Sequence, residues 1–131
     1  MDLELSKHVA DGHTVVELRG ELDVSTAADL RERLLAIFGE DRTSSIILDL
    51  SGLGFMDSTG ISVLLAAEER AIQLGGALFL VAPQKAVARV LHVTSLDKHF
   101  PIYPRVADAL LAAGEADPPA AGEADPPAAA T

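Results

Sequence analysis

Leu48-Asp49-Leu50-Ser51-Gly52-Leu53-Gly54-Phe55-Met56-Asp57-Ser58-Thr59-Gly60-Ile61 is the stretch on which the reading of this chain turns. Its first residues close a strand that starts near Ser45, and Ile46-Ile47-Leu48 has no polar alternation, as in a central strand covered on both faces. A glycine loop is expected next, followed by a helix opening on Asp-Ser-Thr-Gly. A helix start has unpaired amides and about half a positive charge, so a hydroxyl held there by Ser58 is a favourable place for a phosphate of net charge roughly −1.5 to −2. The plainer use of the same residues is capping, by Asp57 or by Ser58. Gly60 costs roughly 1 kcal/mol relative to alanine within a helix, which points to close approach of a partner or a phosphate to bare backbone. The arrangement suits a switch better than a catalyst.

Upstream, Leu3, Leu5 and Val9 belong to an opening strand, and Asp11-Gly12 predicts a tight turn into Thr14-Val15-Val16-Glu17-Leu18-Arg19. Gly20-Glu21-Leu22-Asp23 leads to a helix from about Thr26 to Phe38, with Thr26 and Asp29 at capping-box spacing and Leu30, Leu34, Ile37 and Phe38 on one face. Downstream, Ile61, Leu64, Leu65 and Ile72 mark the buried face of a helix from Ser58 to Leu74, with Glu68, Glu69 and Arg70 more exposed and Gly75-Gly76 as its stop. Ala77 to Val81 reads as another buried strand. Pro83 is placed to open a helix carrying Val87, Val90 and Leu91. Phe100-Pro101-Ile102-Tyr103 fits a short edge strand, and Pro104 a last helix with Val106, Leu110 and Leu111. Strands alternating with helices after a hairpin predict an α/β domain: a mixed, mostly parallel sheet with one antiparallel edge strand and helices on its faces. Sites in such sheets gather where strands end and helices begin, which would bring Asp23 near the segment from Asp57 to Gly60.

The octapeptide Gly-Glu-Ala-Asp-Pro-Pro-Ala-Ala occurs at 114 to 121 and again at 122 to 129. Its Pro-Pro pairs and polarity predict a disordered acidic tail over 114–131, leaving one domain over 1–113. The formal charge is −10 from 20 acids and 10 bases. The bases are scattered among acids, a poor surface for nucleic acid, whose affinity rests on phosphate contacts. With no cysteine there are no disulfides, thiolate zinc sites or cysteine nucleophiles. No apolar run approaches the roughly 20 residues of a membrane span, and Met1-Asp2-Leu3-Glu4 lacks signal-peptide character, so a cytoplasmic protein without membrane contact is expected.

Enzymatic readings fare poorly. The residue two before Ser58 is Met56, so the nucleophile elbow Gly-x-Ser-x-Gly is absent, and His8, His13, His92 and His99 lie in no motif that would supply a base or a metal site. Asp49 and Asp57 with Lys85 could imitate the acidic magnesium pocket of a receiver domain, though paired acids after the first strand are missing. No phosphate-cradling glycine motif occurs, so no nucleotide or other cofactor is expected on this chain.

Gly20-Glu21-Leu22-Asp23, the run Leu48 to Leu53 continuing into Met56-Asp57-Ser58-Thr59-Gly60, and Phe100-Pro101-Ile102-Tyr103 together resemble a STAS domain of the bacterial anti-sigma factor antagonist type, over about residues 3 to 112. The resemblance implies the STAS fold with about four helices, and a partner-switching cycle rather than catalysis. The unphosphorylated domain would bind an anti-sigma factor, a serine kinase of the histidine-kinase-like ATPase fold, and so release a sigma factor. The kinase would phosphorylate Ser58 to weaken the complex, and a serine phosphatase would reset it. Asp23, Asp57, Ser58, Thr59 and Gly60 would form the partner-binding surface. An alternative within the same fold is an unphosphorylated regulatory subunit of a transporter or stress-sensing complex. A monomer exchanging partners is implied, while an exposed edge strand leaves a weak dimer open.

Overall fold

A computed structural model describes residues 2–116. Its elements are β1 (Leu3–Ala10), β2 (His13–Leu22), α1 (Ala27–Glu40), β3 (Ile46–Met56), α2 (Ser58–Gln73), β4 (Leu78–Val81), α3 (Lys85–Val93), β5 (Ile102–Tyr103) and α4 (Val106–Ala116). The expected tail lies outside the described residues, except that α4 runs through 114–116, past the boundary drawn at 113.

Asp11 and Gly12 have φ of 50° and 79°, the left-handed pair that a two-residue hairpin turn requires, and they join β1 antiparallel to β2. The other strands add in parallel, in the order β1-β2-β3-β4-β5. Strands laid down in chain order through right-handed crossovers put every intervening helix on one face. Packing agrees: α1, α2 and α3 bury Leu30, Leu34, Phe38, Leu64, Val87 and Leu91 against Val16, Leu48, Leu50 and Leu80. Alternate strand residues Val15, Ile47, Phe79 and Val81 point the other way and are covered by Ala109 and Ala113 of α4. This two-sided burial explains the unbroken apolar runs of β3 and β4.

The expected glycine loop after Leu50 is strand. β3 continues to Met56 beside an equally long β2, with register shifts between Glu17 and Arg19 and between Gly20 and Glu21. A Cβ on Gly52 would lie 2.7 Å from the Leu18 carbonyl oxygen, so the glycine admits close backbone approach at an irregular step of the ladder.

Other boundaries also shift. Thr26 makes no side-chain cap on α1; its hydroxyl accepts from the Asp23 N–H at 3.0 Å and donates to the Glu21 carbonyl at 2.9 Å, which closes the β2–α1 loop instead. Pro83 and Pro104 precede their helices, which begin at Lys85 and Val106. In α2 the buried residues are Gly60, Val63, Leu64, Ala67 and Ala71, whereas Leu65 and Ile72 are exposed. Glu68 is half-buried, with its Oε1 2.6 Å from His99 Nε2, and Leu111 of α4 is exposed. Among the described residues no helix is long and apolar enough to cross a membrane.

Candidate functional site

The site is built by the ends of two neighbouring strands. β2 and β3 pair in parallel to their last residues, with Leu22 opposite Met56, and the Asp57 N–H donates to the Leu22 carbonyl at 3.3 Å. The next residues along each strand are Asp23 and Asp57, so the two positions expected at one end of the sheet leave it on neighbouring strands.

Asp57 is the N-cap of α2. With extended backbone it turns its Oδ1 onto the Thr59 N–H at 2.9 Å, and the same oxygen accepts the Thr59 hydroxyl. Its carbonyl accepts from the N–H groups of Gly60 and Ile61 at 3.0 and 3.3 Å. Of the two residues expected to cap this helix, Asp57 does so, and its carboxylate fills the seat at the helix start.

Ser58 is the first helical residue and is exposed. Its hydroxyl has no hydrogen-bond partner among the described residues, so none of them polarises it toward attack. Across the strand ends, Asp23 Oδ1 accepts from the Ser25 hydroxyl at 2.7 Å and from the Ser25 N–H at 2.9 Å. The Ser25 hydroxyl above all holds this carboxyl below the usual carboxylate range, with help from the Ser25 amide and the Thr26 hydroxyl and against a cost of desolvation.

Gly60 takes a different place from the one expected. It is buried, and a Cβ on it would lie 2.5 Å from Met56 Cγ and 2.8 Å from Leu22 Cγ. Its bareness lets the first turn of α2 settle onto the strand ends; it is a packing residue beneath the site.

The structure adds apolar residues that periodicity did not single out. Val24, beside Asp23, is 78% exposed, and Phe55, two residues before Asp57, is 44% exposed. A shallow groove of about 250 Å³ runs between the starts of α1 and α2, lined by Ala27, Ala28, Arg31, Thr59, Ser62 and Val63. Along α2, Ser58, Ser62, Leu65, Glu69 and Ile72 are all exposed, and their spacing of four and three puts them on one stripe that starts at the serine. Leu65 and Ile72, expected on one buried face with Ile61 and Leu64, are turned outward by the phase that Val63, Leu64, Ala67 and Ala71 set.

The receiver-like grouping does not form. Asp49 lies in β3 seven positions before Met56, which puts it roughly 23 Å at about 3.3 Å per residue from the strand end that Asp57 follows, and its carboxylate accepts the Ser51 N–H at 3.0 Å. No group of three or more metal-ligating side chains converges among the described residues.

Comparison with known proteins follows this geometry closely. The STAS domain model matches residues 4–109. An anti-sigma F factor antagonist of Paenibacillus polymyxa is 32% identical over 110 residues, covering 84% of this chain and 94% of that protein. An anti-sigma-F factor antagonist of Mycobacterium tuberculosis is 33% identical over 107 residues, covering 78% of this chain and 84% of that protein. The crystal structure of an anti-sigma factor antagonist from Mycobacterium paratuberculosis superposes with a TM-score of 0.76 at 35% identity, over 86% of this chain and 95% of that one. With the sheet order, the family match and these relatives in agreement, the chain belongs to the STAS domain family, in its anti-sigma factor antagonist group.

Proposed function

We propose that this protein binds an anti-sigma factor through the surface formed by Asp23, Val24, Asp57, Ser58, Thr59 and the outer stripe of α2, and that phosphorylation of Ser58 ends the complex. The observation that carries the reading is the exposed, unpartnered Ser58 hydroxyl on the first turn of a helix already capped by Asp57. A kinase can reach such a hydroxyl without unfolding anything. The phosphate it leaves finds the helix seat occupied, so a charge of roughly −1.5 to −2 stays on the surface beside the Asp57 and Asp23 carboxylates. An interface that covers these groups must then desolvate and crowd like charges, which costs several kcal/mol.

The anti-sigma factor is on this reading a serine kinase of the histidine-kinase-like ATPase fold, with a separate serine phosphatase to restore Ser58, all within the cytoplasm. The chain supplies an acceptor and an interface, with no chemistry of its own. Calorimetric titration of the anti-sigma factor from the same organism with wild type, Ser58→Ala and Ser58→Asp tests it. Wild type and Ser58→Ala are expected to bind alike, and Ser58→Asp at least about tenfold more weakly, or roughly 1.4 kcal/mol. Kinase and ATP should add one phosphoryl group, mapped to Ser58. Equal binding of Ser58→Asp and Ser58→Ala would remove the basis of the proposal.

A further inference from the structure

The outer edge of β1 is open. The hairpin turn at Asp11-Gly12 makes Ala10 and His13 a mutually hydrogen-bonded pair, and the alternation of an antiparallel ladder then turns His8, Ser6 and Glu4 inward to β2. The 2.9 Å bond from the Glu21 N–H to the Asp2 carbonyl falls on the same alternation. Leu3, Leu5, Lys7 and Val9 accordingly direct their N–H and C=O groups away from the sheet, and no backbone hydrogen bond satisfies them among the described residues. Proteins commonly guard such an edge with a lysine. Lys7 does not stand guard, because its Nζ is folded back to 2.6 Å from Asp41 Oδ1 at the end of α1. Val9, with 68% of its surface exposed, lies bare beside it.

We propose that this edge pairs antiparallel with the β1 edge of a second copy, about a two-fold axis through Ser6. Outward-pointing residues then meet outward-pointing residues: Leu3 faces Val9 of the second copy, and Leu5 faces its Lys7. Each N–H and C=O left open from Leu3 to Val9 finds a mate. On the opposite face Glu4 meets His8 of the second copy, twice by symmetry, so an acid sits across from an imidazole at each end of the pairing. Sliding by two residues one way sets Lys7 against Lys7, and the other way leaves Val9 uncovered. Sliding by one sets outward groups against inward ones. Charge, apolar cover and hydrogen bonding therefore select the same register. A contact of one strand on one strand is small, so the dimer is transient, with Kd on the order of 100 µM. The edge lies two strands from β3, so Ser58 remains exposed in both copies.

Sedimentation velocity of the full chain from about 5 to 500 µM tests the pairing, with weight-average mass expected to climb from 13.7 kDa toward twice that value. Val9→Pro removes an outward N–H that the hairpin does not use, and should weaken the dimer more than about tenfold. His8→Glu sets like charges opposite each other and should weaken it about fivefold, and adding Glu4→His to that variant should restore it. Both positions of this swap are exposed, so it reads the register even if Val9→Pro perturbs folding. A monomer at all concentrations, a dimer indifferent to Val9→Pro in a folded variant, or failure of the swap to restore pairing would each overturn the proposal.

Discussion

Asp57 accepts both the amide and the hydroxyl of Thr59, so of two adjacent hydroxyls one is tied down and the other, on Ser58, has no partner among the described residues. On the proposed reading, the Asp57 contact distinguishes the acceptor from its neighbour. Kinase treatment of Ser58→Ala is expected to leave Thr59 unmodified, and phosphopeptide mapping checks this. Appearance of phosphothreonine at 59 would show that the Asp57 contact does not protect it.

The same contact stabilises α2. Asp57→Ala removes the side-chain cap and should lower stability by about 1 kcal/mol, within the roughly 0.5–2 range for such caps. Asp57→Asn, which retains an acceptor oxygen, should lose less. Urea midpoints at constant slope distinguish them.

Gly60→Ala should destabilise by about 1–3 kcal/mol, since the new methyl meets Met56 and Leu22 within a filled core. Alanine's better helix propensity recovers at most about 1 kcal/mol. A second change, Met56→Ala, should relieve part of the clash, and the double variant is therefore expected to be less than additive in its loss.

Adjacent leucines of α2 should behave oppositely. Leu64 is fully buried, and Leu64→Ala should cost about 2–5 kcal/mol. Leu65 is 39% exposed and Ile72 is 61% exposed, so Ser at either position should cost well under that in thermal or urea unfolding. If the outer stripe touches the anti-sigma factor, these two quiet changes will weaken binding; unchanged affinity would confine the interface to the strand ends.

Asp41 gives a dependence on pH. The hydrogen bond from the Lys7 ammonium, with one from the Thr14 hydroxyl, holds its carboxyl below the ordinary value of 3.8 despite some desolvation. The unfolded chain therefore takes up this proton first as pH falls. The contribution is complete above the unfolded value and disappears as pH drops through the folded one. Because Lys7 is 37% exposed, solvent screening keeps it under about 1 kcal/mol. Asp41→Asn should be less stable than wild type above about pH 5, with the gap closing toward pH 2, in urea titrations across that interval.

The alternation of strand and helix was legible because burial on both faces leaves unbroken apolar runs in β3 and β4, and because Asp11-Gly12 permits few other turns. The adjacency of Asp23 and Asp57 followed from topology, since parallel neighbours end at the same side of a sheet. What escaped was tertiary in origin. Gly52 and Gly54 signal a loop locally, yet lie in a strand because β2 runs equally far alongside. Leu65 and Ile72 look like core residues, but the small Ala67 and Ala71 occupy the inner face, where α2 comes close to its neighbours. Gly60 invites a ligand in isolation; Met56 and Leu22, brought beneath it by the fold, account for it from inside.

Asp57 holds the helix, and Ser58, one position on, is the proposed acceptor. With the two tasks on different side chains, the modified and unmodified proteins should have nearly the same unfolding equilibrium. A protease that cuts opened chains would then remove both at one rate. Turnover of the free protein is in that case independent of phosphorylation, and only the partner, by holding the unmodified form folded, can make the two forms differ in lifetime.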